Sequence, residues 1–207
     1  MKPKARFGLA AILWVNTVAL PALAYEFPLS PEAIREAYFL GKSHAEKKDE
    51  FFKPYKHYLA IPKTGPHVGL IEVETPFMGI VNDIASRSPS YHAQEAEQDY
   101  LGKPADFRVH VEIYFTPTYP ADAANTVTLG VFWNDFNVHM KQAAEIEPLS
   151  IHGRPIGDQD TISGYDGAMI DVTYGAKSVD PGALTTIVVE APDGQDVETT
   201  FDLSQLR

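Results

Sequence analysis

The stretch RVHVEIYF, residues 108–115, decides the fold. Val109, Val111, Ile113 and Phe115 alternate with Arg108, His110, Glu112 and Tyr114. A period of two puts each set on its own face of a β-strand, so the run predicts a strand with an apolar side against a core and a polar side away from it. Downstream the pattern recurs. Val127 to Trp133 is apolar on both faces and predicts a central strand; after a kink at Asn134-Asp135, Phe136, Val138 and Met140 alternate again. Leu149 to Ile156 holds His152-Gly153, which reads as a tight hairpin turn. Ala168, Ile170, Val172 and Tyr174 alternate, Leu184 to Glu190 is rich in β-branched residues, and Pro192-Asp193-Gly194-Gln195 predicts a turn before a last strand from Val197 to Leu203.

Upstream the texture changes to helix signals. Ser30-Pro31-Glu32 offers an N-cap, a proline at the first helical position and an acid in the first turn, and Gly41 is a natural terminator. Ser43 and Glu46 have capping-box spacing for a second helix ending near Lys53-Pro54, and the two helices together read as a hairpin. Its aromatic residues (Tyr38, Phe39, Phe51, Phe52, Tyr55, Tyr58) are expected to be its packing surface. Val68 to Thr75 reads as a strand. Thr75-Pro76 starts a helix with Phe77, Ile80, Val81 and Ile84 on one face, and Ser88-Pro89 starts another that runs to Tyr100 or Leu101.

Short strands separated by Pro, Gly and Asp turns predict an antiparallel β-sandwich, here in an α+β chain with an N-terminal helical hairpin and a helical insertion between Pro76 and Leu101. The last hundred residues resemble immunoglobulin-like or fibronectin-like modules in their layout, without the Cys…Trp…Cys signature of antibody domains. The expected organisation is a signal peptide over 1–24, a helical region with one sandwich strand over 25–105, and a sandwich region over 106–207 that forms one compact unit with it.

Lys2, Lys4 and Arg6 precede an apolar stretch from Phe7 to Leu20, then Pro21 and the small–x–small run Ala22-Leu23-Ala24. This is the pattern of a secretory signal peptide cleaved near Ala24, which predicts a mature chain from Tyr25 in a periplasm or outside the cell. No later segment has 18 consecutive apolar residues, so a membrane-spanning mature chain is not expected. Without residues 1–24 the chain has 14 basic against 28 acidic residues. Such a surface repels phosphate backbones, which argues against nucleic-acid partners and leaves a protein or a glycan. There is no cysteine, so neither a disulfide framework nor thiol chemistry is available, and the length suffices for a core without staples.

Two clusters have residue types that suit a metal. His110 and Glu112 share a strand face, and His139 lies on the polar face of the Phe136–Met140 run; imidazole and carboxylate together suit zinc if the two strands are neighbours. The acidic loop from Gly157 to Gly167 offers Asp158, Asp160 and Asp166 to calcium but departs from the EF-hand pattern at Ile162 and Met169. Trp133, Tyr119, Tyr165 and Tyr174 are candidates for a sugar-stacking platform. Nucleophile elbows, phosphate loops and zinc-protease motifs are absent from the sequence. The expected role is therefore an exported, non-enzymatic binding or interaction module; a metal-binding protein or a carbohydrate-binding module are the alternatives.

Overall fold

The structure is a computed structural model that describes residues 26–60, 67–114, 132–157, 165–192 and 194–207. Among the described residues four α-helices come first or between strands: α1 (Pro31–Gly41), α2 (Ala45–Phe52), α3 (Pro76–Ser86) and α4 (Ala93–Tyr100). The strands are β1 (Lys56–Tyr58), β2 (His67–Glu74), β3 (Asp106–Tyr114), β4 (Asn137–Lys141), β5 (Glu145–Ile146), β6 (Ser150–Gly157), β7 (Tyr165–Gly175), β8 (Leu184–Glu190) and β9 (Asp196–Asp202). They form two antiparallel sheets, β1-β2-β3-β7-β6 and β5-β4-β8-β9, the expected sandwich. α3 and α4 are the helical insertion, carried between the paired strands β2 and β3.

The period-two pattern sets the layers. Phe107, Val109, Val111 and Ile113 of β3 are fully buried, as are Ile71 and Val73 beside them and Ala168, Val172 and Tyr174 of β7. Met140, Ile187 and Val189 supply the facing layer from the second sheet. Phe77, Ile80, Val81 and Ile84, the predicted face of α3, join the same contiguous core. The helices therefore extend the sandwich core.

Local chemistry explains most boundaries. The Ser30 hydroxyl accepts from the Ala33 N–H, and the Thr75 hydroxyl accepts from the Met78 N–H, so both predicted N-caps form. Gly41 is needed for a different reason from the one expected. No positive φ is found there, but a Cβ would come within 2.8 Å of Ile84 Cγ2 and the Val81 carbonyl, so Gly41 lets α1 approach α3. α1 packs chiefly on α3 and α4 rather than on α2.

Several expectations are corrected. The Ser43 hydroxyl turns back to the Leu40 carbonyl at 2.6 Å, so α2 begins after His44 with no side-chain cap. Ser88-Pro89-Ser90 is a turn, and α4 starts after His92, where the Glu95 carboxylate accepts from the His92 N–H at 2.7 Å. The acids of α4 that oppose its dipole have partners outside it: Glu97 pairs with Arg35, and Asp99 accepts from the Tyr91 hydroxyl. Of the aromatic residues of the first two helices and β1, Phe52 and Tyr55 are buried, whereas Phe39 and Tyr58 are exposed. Phe132–Asp135 is a 3₁₀ turn, so neither Phe132 nor Trp133 lies in a strand; residues 127–131 of the predicted strand fall outside the described residues, as do Phe115 and Tyr119.

The largest correction concerns His152-Gly153. β6 runs unbroken through both, with His152 opposite Asp171 and Gly153 opposite Ile170. Gly153 is small because the Trp133 indole lies on it: any Cβ there would overlap Cδ1, Nε1 and Cγ of the ring. A glycine required by a neighbouring ring looks, in sequence, the same as a glycine required by a turn.

Candidate functional site

The outward face of the five-stranded sheet is a ladder of ionisable groups. Cross-strand register aligns Lys56, Glu72, His110, Asp171 and His152 in one row, with Glu74 and Arg108 paired in the adjacent row. Residues directly opposite in an antiparallel pair share a face, so the row faces away from the Val109–Ile113 layer.

His110 sits at its centre with its side chain 20% exposed. Nδ1 lies 2.5 Å from Asp171 Oδ1, and Nε2 lies 3.8 Å from Glu74 Oε2. Burial alone would disfavour the imidazolium. The hydrogen bonds to Asp171 and Glu74 and their negative charges outweigh it, and the pKa is raised to about 9. Glu74 also accepts from Asn82 of α3 at 2.9 Å and pairs with Arg108 at 3.1 Å, while Asp171 pairs with Arg154 at 3.4 Å. Burial pushes both carboxyls up, but these partners, His110 first, hold Glu74 and Asp171 below the usual carboxylate range. Glu72 goes the other way: burial raises it, against the pull of Lys56 at 3.5 Å and of His110. The two carboxylates favour the imidazolium form of His110, so a metal at either ring nitrogen would have to displace a proton and the contact to Asp171 or Glu74. The ladder is a charge-compensated surface.

The other predicted ligands do not converge on it. Glu112 shares the face of His110, but its carboxylate accepts from the Tyr114 hydroxyl. His139 alternates with the buried Val138 and Met140 and so faces outward from the four-stranded sheet. Its Nδ1 is 2.7 Å from Glu145 Oε1 and its Nε2 is 3.5 Å from Glu190 Oε2. His110 and His139 are thus on opposite outer faces of the sandwich, with the core between them, and the structure does not bring them to one ion. Among the described residues, no three His, Asp or Glu side chains are placed to hold a metal. Asp158 and Asp160 lie outside the described residues, and so does the side chain of Asp166. Of the stacking candidates, Tyr174 is fully buried and Trp133 is packed on Gly153; the Tyr165 side chain is outside the described residues.

Sequence reasoning missed a second feature, the edge of the same sheet. Among the described residues, β6 pairs on one side only, with β7. Ile151 lies opposite the buried Val172, on the core-facing side, yet is 52% exposed, and Leu149 just before β6 is 68% exposed. Trp133 continues this apolar strip over Gly153. The signal was present in sequence: Pro148 to Gly157 has no acid in a strongly acidic chain.

No protein-family model and no curated protein matches the chain. Among solved structures, two antibody domains resemble it. IgNAR antibody domain C1 is 9% identical, with a TM-score of 0.32, over 70% of this chain and 99% of that one. IgNAR antibody domain C3 is 12% identical, with a TM-score of 0.31, over 68% of this chain and 97% of that one. The sandwich is established by the strand pairing itself.

Proposed function

We propose that the chain is exported, loses residues 1–24, and serves as a binding module that engages a protein partner along β6. The observation that carries this reading is the contrast between edges. β1 and β5, with three and two residues, are too short to template another strand. β9 is long, but Asp196, Glu198 and Asp202 give it the like charges that natural edge strands use against unwanted pairing. β6 has eight residues and no acid, and its Ile151 is exposed, as is Leu149 just before it. Loops and edges on a rigid sandwich are usual places for recognition. Export is supported by the Lys2–Arg6 n-region, the apolar run and the Ala22-Leu23-Ala24 site.

The test introduces a photo-crosslinking residue at position 151 in the full chain in its own host, with exposed positions 39 and 184 as controls. One protein adduct of discrete mass from position 151, none from the controls, and a mature N-terminus at Tyr25 are expected. Equal adducts at all three positions would overturn the role of β6. Retention of residues 1–24 would overturn export.

A further inference from the structure

We infer that the occupant of β6 is an extended partner strand in which apolar and acidic residues alternate, added as a sixth strand beside residues 149–154. The inference rests on the binding role assigned to β6 above and names the chemistry of its partner. In a strand that joins β6, side chains follow the same two faces. On the core-facing side they would meet Leu149 and Ile151, both exposed, with the Trp133 ring next along the strip. Apolar residues there would cover Leu149 and Ile151 and continue the core layer past β6. On the other side they would meet His152 and Arg154; the Arg154 side chain is 62% exposed. Its Nε donates to Asp171 at 3.4 Å and its Nη2 to the Met169 sulfur at 2.7 Å, which leaves the Nη1 donors for a further carboxylate. Pro155 has no N–H to offer and sets the end of the pairing.

Charge complementarity decides against the simplest alternative, a second copy. A second copy would present the same edge, which has no acid from Pro148 to Gly157 and so has no carboxylate to set against Arg154. The acidic partner strand satisfies both faces together.

The test uses the purified mature chain and three synthetic heptapeptides: alternating Val and Glu, alternating Val and Lys, and a scrambled peptide with the Val/Glu composition. Binding is read by fluorescence anisotropy, and association by sedimentation. The alternating Val/Glu peptide is expected to bind at least about tenfold more tightly than the other two, a difference of about 1.4 kcal/mol. Ile151→Lys should abolish that binding with the melt unchanged, since the side chain is already half in water. Arg154→Glu should reverse the order, so that the Val/Lys peptide binds better. Equal binding of the Val/Glu and Val/Lys peptides, both lost in Ile151→Lys, would overturn the acidic chemistry and leave β6 as the binding edge. Failure of all three peptides, or equal binding of the scrambled one, would overturn strand addition. Concentration-dependent self-association lost in Ile151→Lys would replace the partner strand by a second copy.

Discussion

Replacing Gly153 by alanine puts a methyl group into the space of the Trp133 indole. The group it meets is a rigid ring, not the end of a flexible chain. Ordinary carbon–carbon contact needs about 3.5–4.0 Å, so the ring has to move by roughly 2 Å or leave β6. Overpacking of this kind costs about 1–3 kcal/mol. For a chain of this size, 2 kcal/mol lowers the melting temperature by about 4–8 °C. Trp14 lies in the expected signal peptide, so Trp133 is the one tryptophan of the mature chain and reports its own displacement. Gly153→Ala should therefore lower the melting temperature and shift the emission to the red, as the half-buried ring enters water. In a Trp133→Ala background the same substitution should cost close to nothing, giving a coupling of about 1 kcal/mol or more. A hairpin turn at Gly153 would also be damaged by alanine, but without coupling to Trp133. An unchanged emission spectrum, or additive costs, would refute the packing of Trp133 on Gly153.

Further outcomes follow from the same geometry. His110 has a folded-state pKa near 9, above the unfolded value of about 6.5; its contribution is complete below about pH 6.5 and is lost as pH rises through about 9. Melts of wild type and His110→Gln should therefore converge above pH 9, and a gap that widens there would contradict the ladder. Asp171→Asn should lower the His110 pKa in an NMR titration, and an unmoved value would show that Asp171 is not its main partner. Glu74 and Asp171 act with the opposite sign: their contribution is present above about pH 4 and lost as pH falls further, offset in part by Glu72, whose penalty disappears on protonation. The Tyr55 hydroxyl donates to the Arg207 carbonyl at 2.9 Å and accepts from its N–H at 2.7 Å, so Tyr55→Phe should cost about 1–3 kcal/mol in a denaturant melt. Zinc added to the EDTA-treated chain should leave the melt in place, because His110 and His139 face away from each other; a rise of roughly 5–10 °C would contradict that placement.

The layers of this fold were legible because they depend on local periodicity. Val109, Val111 and Ile113 announce their face in eight residues, and Ser30-Pro31 and Thr75-Pro76 carry their caps within three. What was not legible depends on partners distant in the chain. Glu74 and Asp171 flank His110 from 36 and 61 positions away, and nothing in RVHVEIYF names them. His139 carries an alternation as clear as that of His110, but alternation says which face of a sheet a residue takes and not which sheet. Gly153 had two physical explanations, a turn or a covering ring, and only the position of Trp133 separates them. The edge at β6 was hidden by the same ambiguity, since a hairpin at His152-Gly153 would have broken the strand in two.

The measurement that tests the account most directly is backbone amide hydrogen exchange along residues 149–154 of the mature chain, alone and with the alternating Val/Glu peptide. An edge strand leaves some of its amides to water and pairs the others with β7. Protected and fast-exchanging amides should therefore alternate in the free chain, and the fast ones should become protected when the peptide binds. Protection of every β6 amide in the free monomer would mean that this edge is already covered, and would contradict a binding role for it.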